Sequence, residues 1–188
     1  MSTIQEILAN TKSVFVFDID GVLAVYAYGE RNHNVCREDA WQDYVQNHDL
    51  YATAQPVKIL QGLIRQHDSS RVFVCTRASR TEMEQKRDFA VKQYGINPEH
   101  VLFTHSNRKK LGAMRFLHDR FFQDLPDELM VMIEDSADVL TNIQDHSDYS
   151  TVHISYFLNA EHSELERFVS GMPVNREGDD ADGQLPTT

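Results

Sequence analysis

Val14-Phe15-Val16-Phe17-Asp18-Ile19-Asp20-Gly21-Val22 is the stretch whose reading decides the fold. Its first four residues are β-branched and aromatic, with no charge until the end, which reads as a strand buried on both faces. Asp18 and Asp20 follow at i and i+2. That is the carboxyl end of the strand, where open α/β sheets collect their ligands. A period of two aims both carboxylates to the same side, and Gly21 lets the backbone turn away behind them. Acids this close repel each other, so holding both ionised calls for a cation, and Mg2+ with oxygen ligands is the usual answer. An Asp beside such an ion can act as a nucleophile and its neighbour as a general acid. A calcium loop starting at Asp18 is excluded, because Val22, Ala24 and Gly29 occupy later ligand positions. Asp-Gly is also a common turn pair, so this stretch alone leaves a simple turn open.

The rest of the composition fits one globular domain. The chain has 188 residues, 41% hydrophobic and 25% charged, enough to bury a core without disulfides or a structural metal. No apolar run reaches the length of a membrane span, and Met1 to Asn10 lacks the pattern of a secretory signal. Cys36 and Cys75 form no framework, and Cys75 sits in a strand-like run as a small core residue. The expectation is a reduced, cytoplasmic setting with no membrane partner. A net charge of −11 speaks against a general nucleic-acid binder. Yet Arg65 to Arg120 holds twelve Lys or Arg against six Asp or Glu. Glu82, Glu84, Lys86, Arg87 and Asp88 in that window read first as the solvated face of a helix. The alternative is a local positive field around a phosphate site.

Outward from the first strand, the pattern alternates. Ile4, Ile7 and Leu8 predict a short amphipathic helix, and Ser13 to Asp18 is the first strand. Residues 22–53 form a small insertion: a hairpin beginning in Leu23 to Tyr28, then Trp41, Tyr44 and Val45 at helical spacing between Glu38 and His48. Pro56 is expected in the first turn of a helix through Ile59, Leu60, Leu63 and Ile64. Arg71 to Thr76 is the second strand, followed by a helix over Ser79 to Tyr94 that Gly95 stops. Further strands are expected over His100 to Thr104, Leu129 to Ile133 and Thr151 to Ser155. The intervening helices are Arg108 to Phe122, and one capped by Ser136 that carries Val139, Leu140 and Ile143. A last helix over Ala160 to Ser170 closes a single domain of residues 1–171, and 172–188 reads as a disordered tail. The fold class is therefore α/β, a Rossmann-like parallel sheet of about five strands with helices on both faces.

Polar residues collect at the ends of these strands. Thr76-Arg77 closes the second strand, where a hydroxyl and backbone N–H groups can hold a phosphoryl oxygen. Lys109 and Lys110 precede the Leu111 helix, and either can present an ammonium to a phosphate. Glu134-Asp135 ends the fourth strand after five apolar residues, a position where an acid pair calls for a cation. In this order the four motifs resemble those of the haloacid dehalogenase superfamily of phosphohydrolases, over about Ser13 to Ser155. Asp18 to Val22 matches the first motif residue for residue. Val72 to Arg77 matches the second without the Gly often found after Thr. Lys110 fits the third best, with Lys109 remaining open, and Glu134 stands where Asp or Gly is more usual.

The resemblance implies that Asp18 attacks phosphorus to form an aspartyl-phosphate, and that Asp20 protonates the leaving oxygen and then activates water. It implies Mg2+ held by the Asp18 side chain, the Asp20 backbone carbonyl and Asp135, with Glu134 in support. Thr76, Arg77 and Lys110 or Lys109 would bind the phosphoryl oxygens. Asp20 favours phosphate chemistry, since dehalogenases of the superfamily lack that second acid. The small insertion leaves an open site, with Tyr26, Tyr28, Arg31, His33, Trp41 and Tyr44 as candidate substrate contacts; the alternative is that Trp41 and Tyr44 merely pack the insertion. An open site suits a phosphate on something large. A protein phosphoester is one option. A nucleic-acid end is another, because Arg108-Lys109 and the acid pair are similar to the 3′-phosphatase domain of phage polynucleotide kinases. From other classes, a non-catalytic phosphate- or partner-binding module has no need of Asp20. A phosphomutase is disfavoured by the short insertion, and a receiver domain by the early position of the reactive Asp.

Overall fold

In a computed structural model, the described residues are 2–25, 47 and 49–159. Their framework is a parallel sheet of five strands: β1 (Val14–Phe17), β4 (Val72–Arg77), β5 (Val101–Thr104), β6 (Met130–Glu134) and β7 (Ser150–His153). The order is β5-β4-β1-β6-β7. β1 lies in the middle, pairing Val16 with Phe73 on one side and with Met132 on the other. The chain leaves β1 toward one edge and later crosses to the other side, so the crevice at its carboxyl end is a topological switch point.

Alternation along the strands divides the core into two layers. Phe15, Phe17, Val72, Val74, Val131 and Ile133 face one layer, with Leu60, Leu63 and Ile64 of α3 (Lys58–Gln66) and Phe89, Ala90 and Tyr94 of α4 (Glu82–Tyr94). Val14, Val16, Phe73, Cys75, Met130 and Met132 face the other. There they meet Leu111, Met114 and Leu117 of α5 (Lys110–Phe121) and Val139, Leu140 and Ile143 of α6 (Ala137–His146). Phe15, Phe17, Met114, Met130 and Met132 are fully buried, each worth roughly 1.5–3 kcal/mol of apolar transfer. Cys75 belongs to this core; burial pushes its thiol up to about 12, so it is an inert packing residue. The two-faced parallel sheet is the architecture expected from the sequence.

Element ends differ from expectation where caps, rather than apolar spacing, set them. α1 (Ile4–Ala9) starts at a capping box, in which Glu6 N–H donates to Thr3 Oγ1 at 3.2 Å and Thr3 N–H donates to Glu6 Oε2 at 2.7 Å. Ser136 stands at the N-cap of α6 but its hydroxyl makes no cap bond; its N–H instead donates to Glu134 Oε1 at 3.3 Å. Pro56 lies outside α3, in a two-residue strand β3 (Gln55–Pro56) antiparallel to β2 (Ala24–Val25). This pairing joins the two ends of the insertion, and the rest of the hairpin expected from Leu23 to Tyr28 lies outside the described residues. Next to β3 stands the short helix α2 (Leu50–Thr53), capped by Asp49. Buried Tyr94 ties these ends to the domain, its hydroxyl donating to Leu23 O at 2.6 Å and accepting from Val57 N–H at 2.8 Å. Gly95 ends α4 at φ 68°, as its position predicted. A final short helix, α7, covers Tyr156–Asn159. Six candidate substrate contacts (Tyr26, Tyr28, Arg31, His33, Trp41, Tyr44) lie outside the described residues. So do Cys36, the helix expected over 160–170 and the 172–188 tail. No helix among the described residues is long and apolar enough to cross a membrane.

His67 makes stability sensitive to pH. Its ring lies 4.3 Å from that of Phe15, and Nε2 hydrogen-bonds Ser13 O at 2.7 Å, which requires the proton on Nε2. Burial holds its pKa below the ordinary 6.5, outweighing that hydrogen bond. A depressed histidine contributes stability that is complete above the unfolded pKa and is lost as pH falls through the folded one. The thermal midpoint is therefore expected to fall between about pH 7.5 and about pH 5.5. In His67→Gln that decline should be shallower, and an equal decline in both proteins would clear His67 of the effect.

Candidate active site

β1, β4 and β6 deliver their polar residues to one crevice, and alternation decides which helix each one meets. Glu134 continues the parity of Met130 and Met132, facing α5 and α6; Thr76 continues that of Val72 and Val74, facing α4. Asp18, one residue past β1, donates its N–H to Ile133 O at 3.1 Å and so stays in register with β6.

On the first side, Lys110 is fully buried, with Nζ 3.0 Å from Asp18 Oδ2 and 2.6 Å from Glu134 Oε2. Burial works against its ammonium, but Asp18 and Glu134 outweigh it and hold the pKa above the ordinary lysine value. The neighbouring Lys109 is exposed, so the buried position belongs to Lys110. Burial pushes Glu134 up to about 8, with the Asp18 charge adding to the effect and Lys110 opposing it. Burial likewise raises Asp18 despite the adjacent Lys110. Asp18 Oδ1 is buried with no hydrogen-bond partner. Ligand atoms of Asp18, Glu134 and Asp135 all lie within 4.8 Å of one another, close enough for one ion to bridge. Once all three carboxylates are ionised, the single ammonium leaves two negative charges, the complement of a divalent cation, whose binding would draw off the proton that burial favours on Glu134. Gly21 belongs to the same pocket. At φ 75° it faces Asp135, and a Cβ there would sit 3.0 Å from Asp135 Cγ and closer still to Oδ2. His153 Nε2 hydrogen-bonds Asp135 O at 2.9 Å, bracing the strand end.

On the second side, two charged residues of α4 turn inward instead of to solvent. Glu82 and Lys86 are buried, whereas Glu84 and Asp88 are exposed and Arg87 stacks at 5.1 Å over Phe103. Lys86 Nζ lies 2.6 Å from Asp20 Oδ2 and 3.4 Å from Thr76 Oγ1, and donates to Arg77 O. Asp20 Oδ1 accepts from the Tyr51 hydroxyl at 2.6 Å. The solvated-face reading fails for these two residues because the N-terminal turns of α4 lean over the carboxyl edge of the sheet. A signal existed. Tyr94, Ala90 and Phe89 define the buried face of α4, and the same spacing carried backwards lands on Lys86 and Glu82.

Asp18, Asp20, Thr76, Lys110, Glu134 and Asp135 are thus brought together. Arg77 and Lys109 are exposed at the rim, beside exposed Arg80, His105 and Arg108. No protein-family model matches the chain, and no curated protein is significantly similar to it.

Proposed function

We infer that the protein is a Mg2+-dependent phosphomonoester hydrolase that works through an aspartyl-phosphate on Asp18, with the motif order of the haloacid dehalogenase superfamily. One observation carries the reading: a buried Asp18 with one oxygen held by Lys110, the other without a partner, and Glu134 and Asp135 beside it. Asp18 and Asp135 would hold Mg2+ with the Asp20 carbonyl, and Glu134, engaged by Lys110, would support them. Bound there, the ion supplies charge that offsets the phosphoryl oxygens as the transition state forms. Asp18 attacks phosphorus while Asp20 gives its proton to the departing ester oxygen. Asp20 then takes a proton from the water that cleaves the acyl phosphate. Lys110 and Thr76 bind the phosphoryl oxygens.

The exposed Arg77, Arg80, Arg108 and Lys109 favour, as a second reading of the substrate, one with phosphates beyond the scissile one, such as a 3′-phosphorylated nucleic-acid end. The test is phosphate release, with Mg2+ or with chelator, from p-nitrophenyl phosphate, nucleotides, sugar phosphates, a phosphopeptide and a 3′-phosphorylated oligonucleotide. Release that requires Mg2+ supports the reaction class, and the ranking selects the substrate class. No release from folded protein would favour a binding module.

Gly21→Ala tests the metal ligands. The left-handed backbone costs a side chain about 1–2 kcal/mol, and the new Cβ must push the Asp135 carboxylate away from its neighbours. The Mg2+ concentration giving half-maximal activity is expected to rise about tenfold or more, a penalty of roughly 1.4 kcal/mol. An unchanged Mg2+ dependence would remove Asp135 from the ligand set.

A further inference from the structure

We propose that Lys86, together with Tyr51, is the positioning residue that aims Asp20 at the leaving oxygen. This rests on the phosphatase reading above and extends it to residues outside the four motifs.

A lysine in the second turn of a helix normally reaches into water, and lysines are almost never fully buried unless paired. Lys86 is 1% exposed, and its ammonium joins groups from two strand ends. Asp20 Oδ2 follows β1, at 2.6 Å; Thr76 Oγ1 and Arg77 O close β4. Glu82 Oε1, one turn earlier on α4, stands 3.7 Å from the same nitrogen and keeps it on this side of the helix. Tyr51, 5% exposed, holds the other oxygen of Asp20 at 2.6 Å, and its ring lies 5.9 Å from Lys86 Nζ. With a donor on each oxygen, the carboxylate of Asp20 cannot rotate freely about its side-chain torsions.

The consequence is geometric. A general acid must stand within about 2.6–3.2 Å of the atom it protonates, and a misplacement of about 1 Å can cost ~100-fold in rate. Asp20 lies beyond the end of β1 with 35% of its side chain exposed, so the aim of its carboxylate depends on the groups that hold its oxygens. The two lysines divide the work: Lys110 serves the nucleophile and Lys86 the proton carrier. In the first step the bond from Asp18 to phosphorus forms, the ester P–O bond breaks, and the proton of Asp20 goes to the ester oxygen. In the second, water attacks phosphorus, the bond from Asp18 to phosphorus breaks, and Asp20 recovers a proton.

The experiment compares kcat/KM for phenyl phosphate and p-nitrophenyl phosphate, two esters of similar shape, in wild type, Lys86→Met, Tyr51→Phe, Asp20→Asn and Lys86→Met with Asp20→Asn. The p-nitrophenolate leaves readily without a proton, whereas phenolate depends on one. Lys86→Met is expected to lose about 100-fold on phenyl phosphate and less than about tenfold on p-nitrophenyl phosphate. Added to Asp20→Asn, it should cost nothing further, because it acts through a carboxylate already removed. Tyr51→Phe should show the same leaving-group bias at smaller size, and it carries the test should Lys86→Met not fold. Equal losses on both esters, or an additive loss in the double variant, would overturn the proposal and make Lys86 a phosphate-gripping or purely structural residue. A wild-type protein without Mg2+-dependent turnover would instead bring down the phosphatase reading, and this inference with it.

Discussion

Asp18→Asn is expected to abolish turnover, by roughly 10⁴-fold or more, while the protein stays folded. Asparagine has nearly the same shape and can keep the contact with Lys110, but its amide cannot form the acyl phosphate. Burial already penalises the Asp18 carboxylate, and its Oδ1 lies without a partner. Replacing it by a neutral group therefore removes a desolvated charge from an acidic cluster, so stability measured with chelator should change by no more than about 1 kcal/mol. Mg2+ at ten times its dissociation constant should stabilise the wild type by about 1.4 kcal/mol, and the variant by less. Phosphate release and thermal midpoints with and without Mg2+ check both halves. Normal hydrolysis by the folded variant would end the nucleophile assignment, and an undiminished Mg2+ shift would take Asp18 out of the metal site.

The sheet and the strand-end acids were legible because both follow from local rules. An uninterrupted apolar run such as Val14 to Phe17 or Met130 to Ile133 has few ways to be satisfied other than a strand covered on both faces. Acids just past such runs, as at Asp18 and Glu134-Asp135, must then lie at the carboxyl edge. The sequence leaves Lys109 open beside Lys110, since neighbouring residues on a helix differ by about 100° and only the packing of α5 tells which one points inward. Lys86 and Glu82 depart from the expected solvent face for a related reason. Charge on a helix ordinarily marks the solvent side, and that inference reverses where the helix end overhangs a polar crevice that supplies partners. Pro56 lies one element earlier than its sequence context suggests, because its fixed φ suits a short edge strand as well as a first helical turn. The pairing of β2 with β3 spans the whole insertion, so no local pattern could announce it.

Lys110→Met carries the largest expected cost in stability. The substitution removes the ammonium between Asp18 and Glu134 and leaves both carboxylates buried beside Asp135. Breaking a buried ion pair from one side costs about 3–5 kcal/mol, because the surviving charge has neither water nor partner. Methionine keeps most of the side-chain volume, so the loss reports charge rather than a cavity. Denaturant unfolding in chelator at about pH 9, above the Glu134 value of about 8, should show that loss, and Mg2+ should restore part of it by supplying positive charge to the same oxygens. Lys109→Met, one residue away on an exposed position, should stay within about 0.5 kcal/mol of wild type. Turnover of Lys110→Met should fall by about 10²–10³-fold, as for the loss of one preorganised donor to the developing charge. A destabilisation below about 1 kcal/mol in chelator would mean that Asp18 and Glu134 do not both carry charge in the folded protein. The divalent charge complement on which the metal site rests would then disappear. Loss of stability without Mg2+ rescue would instead keep Lys110 as the structural counter-charge and move the metal away from this cluster.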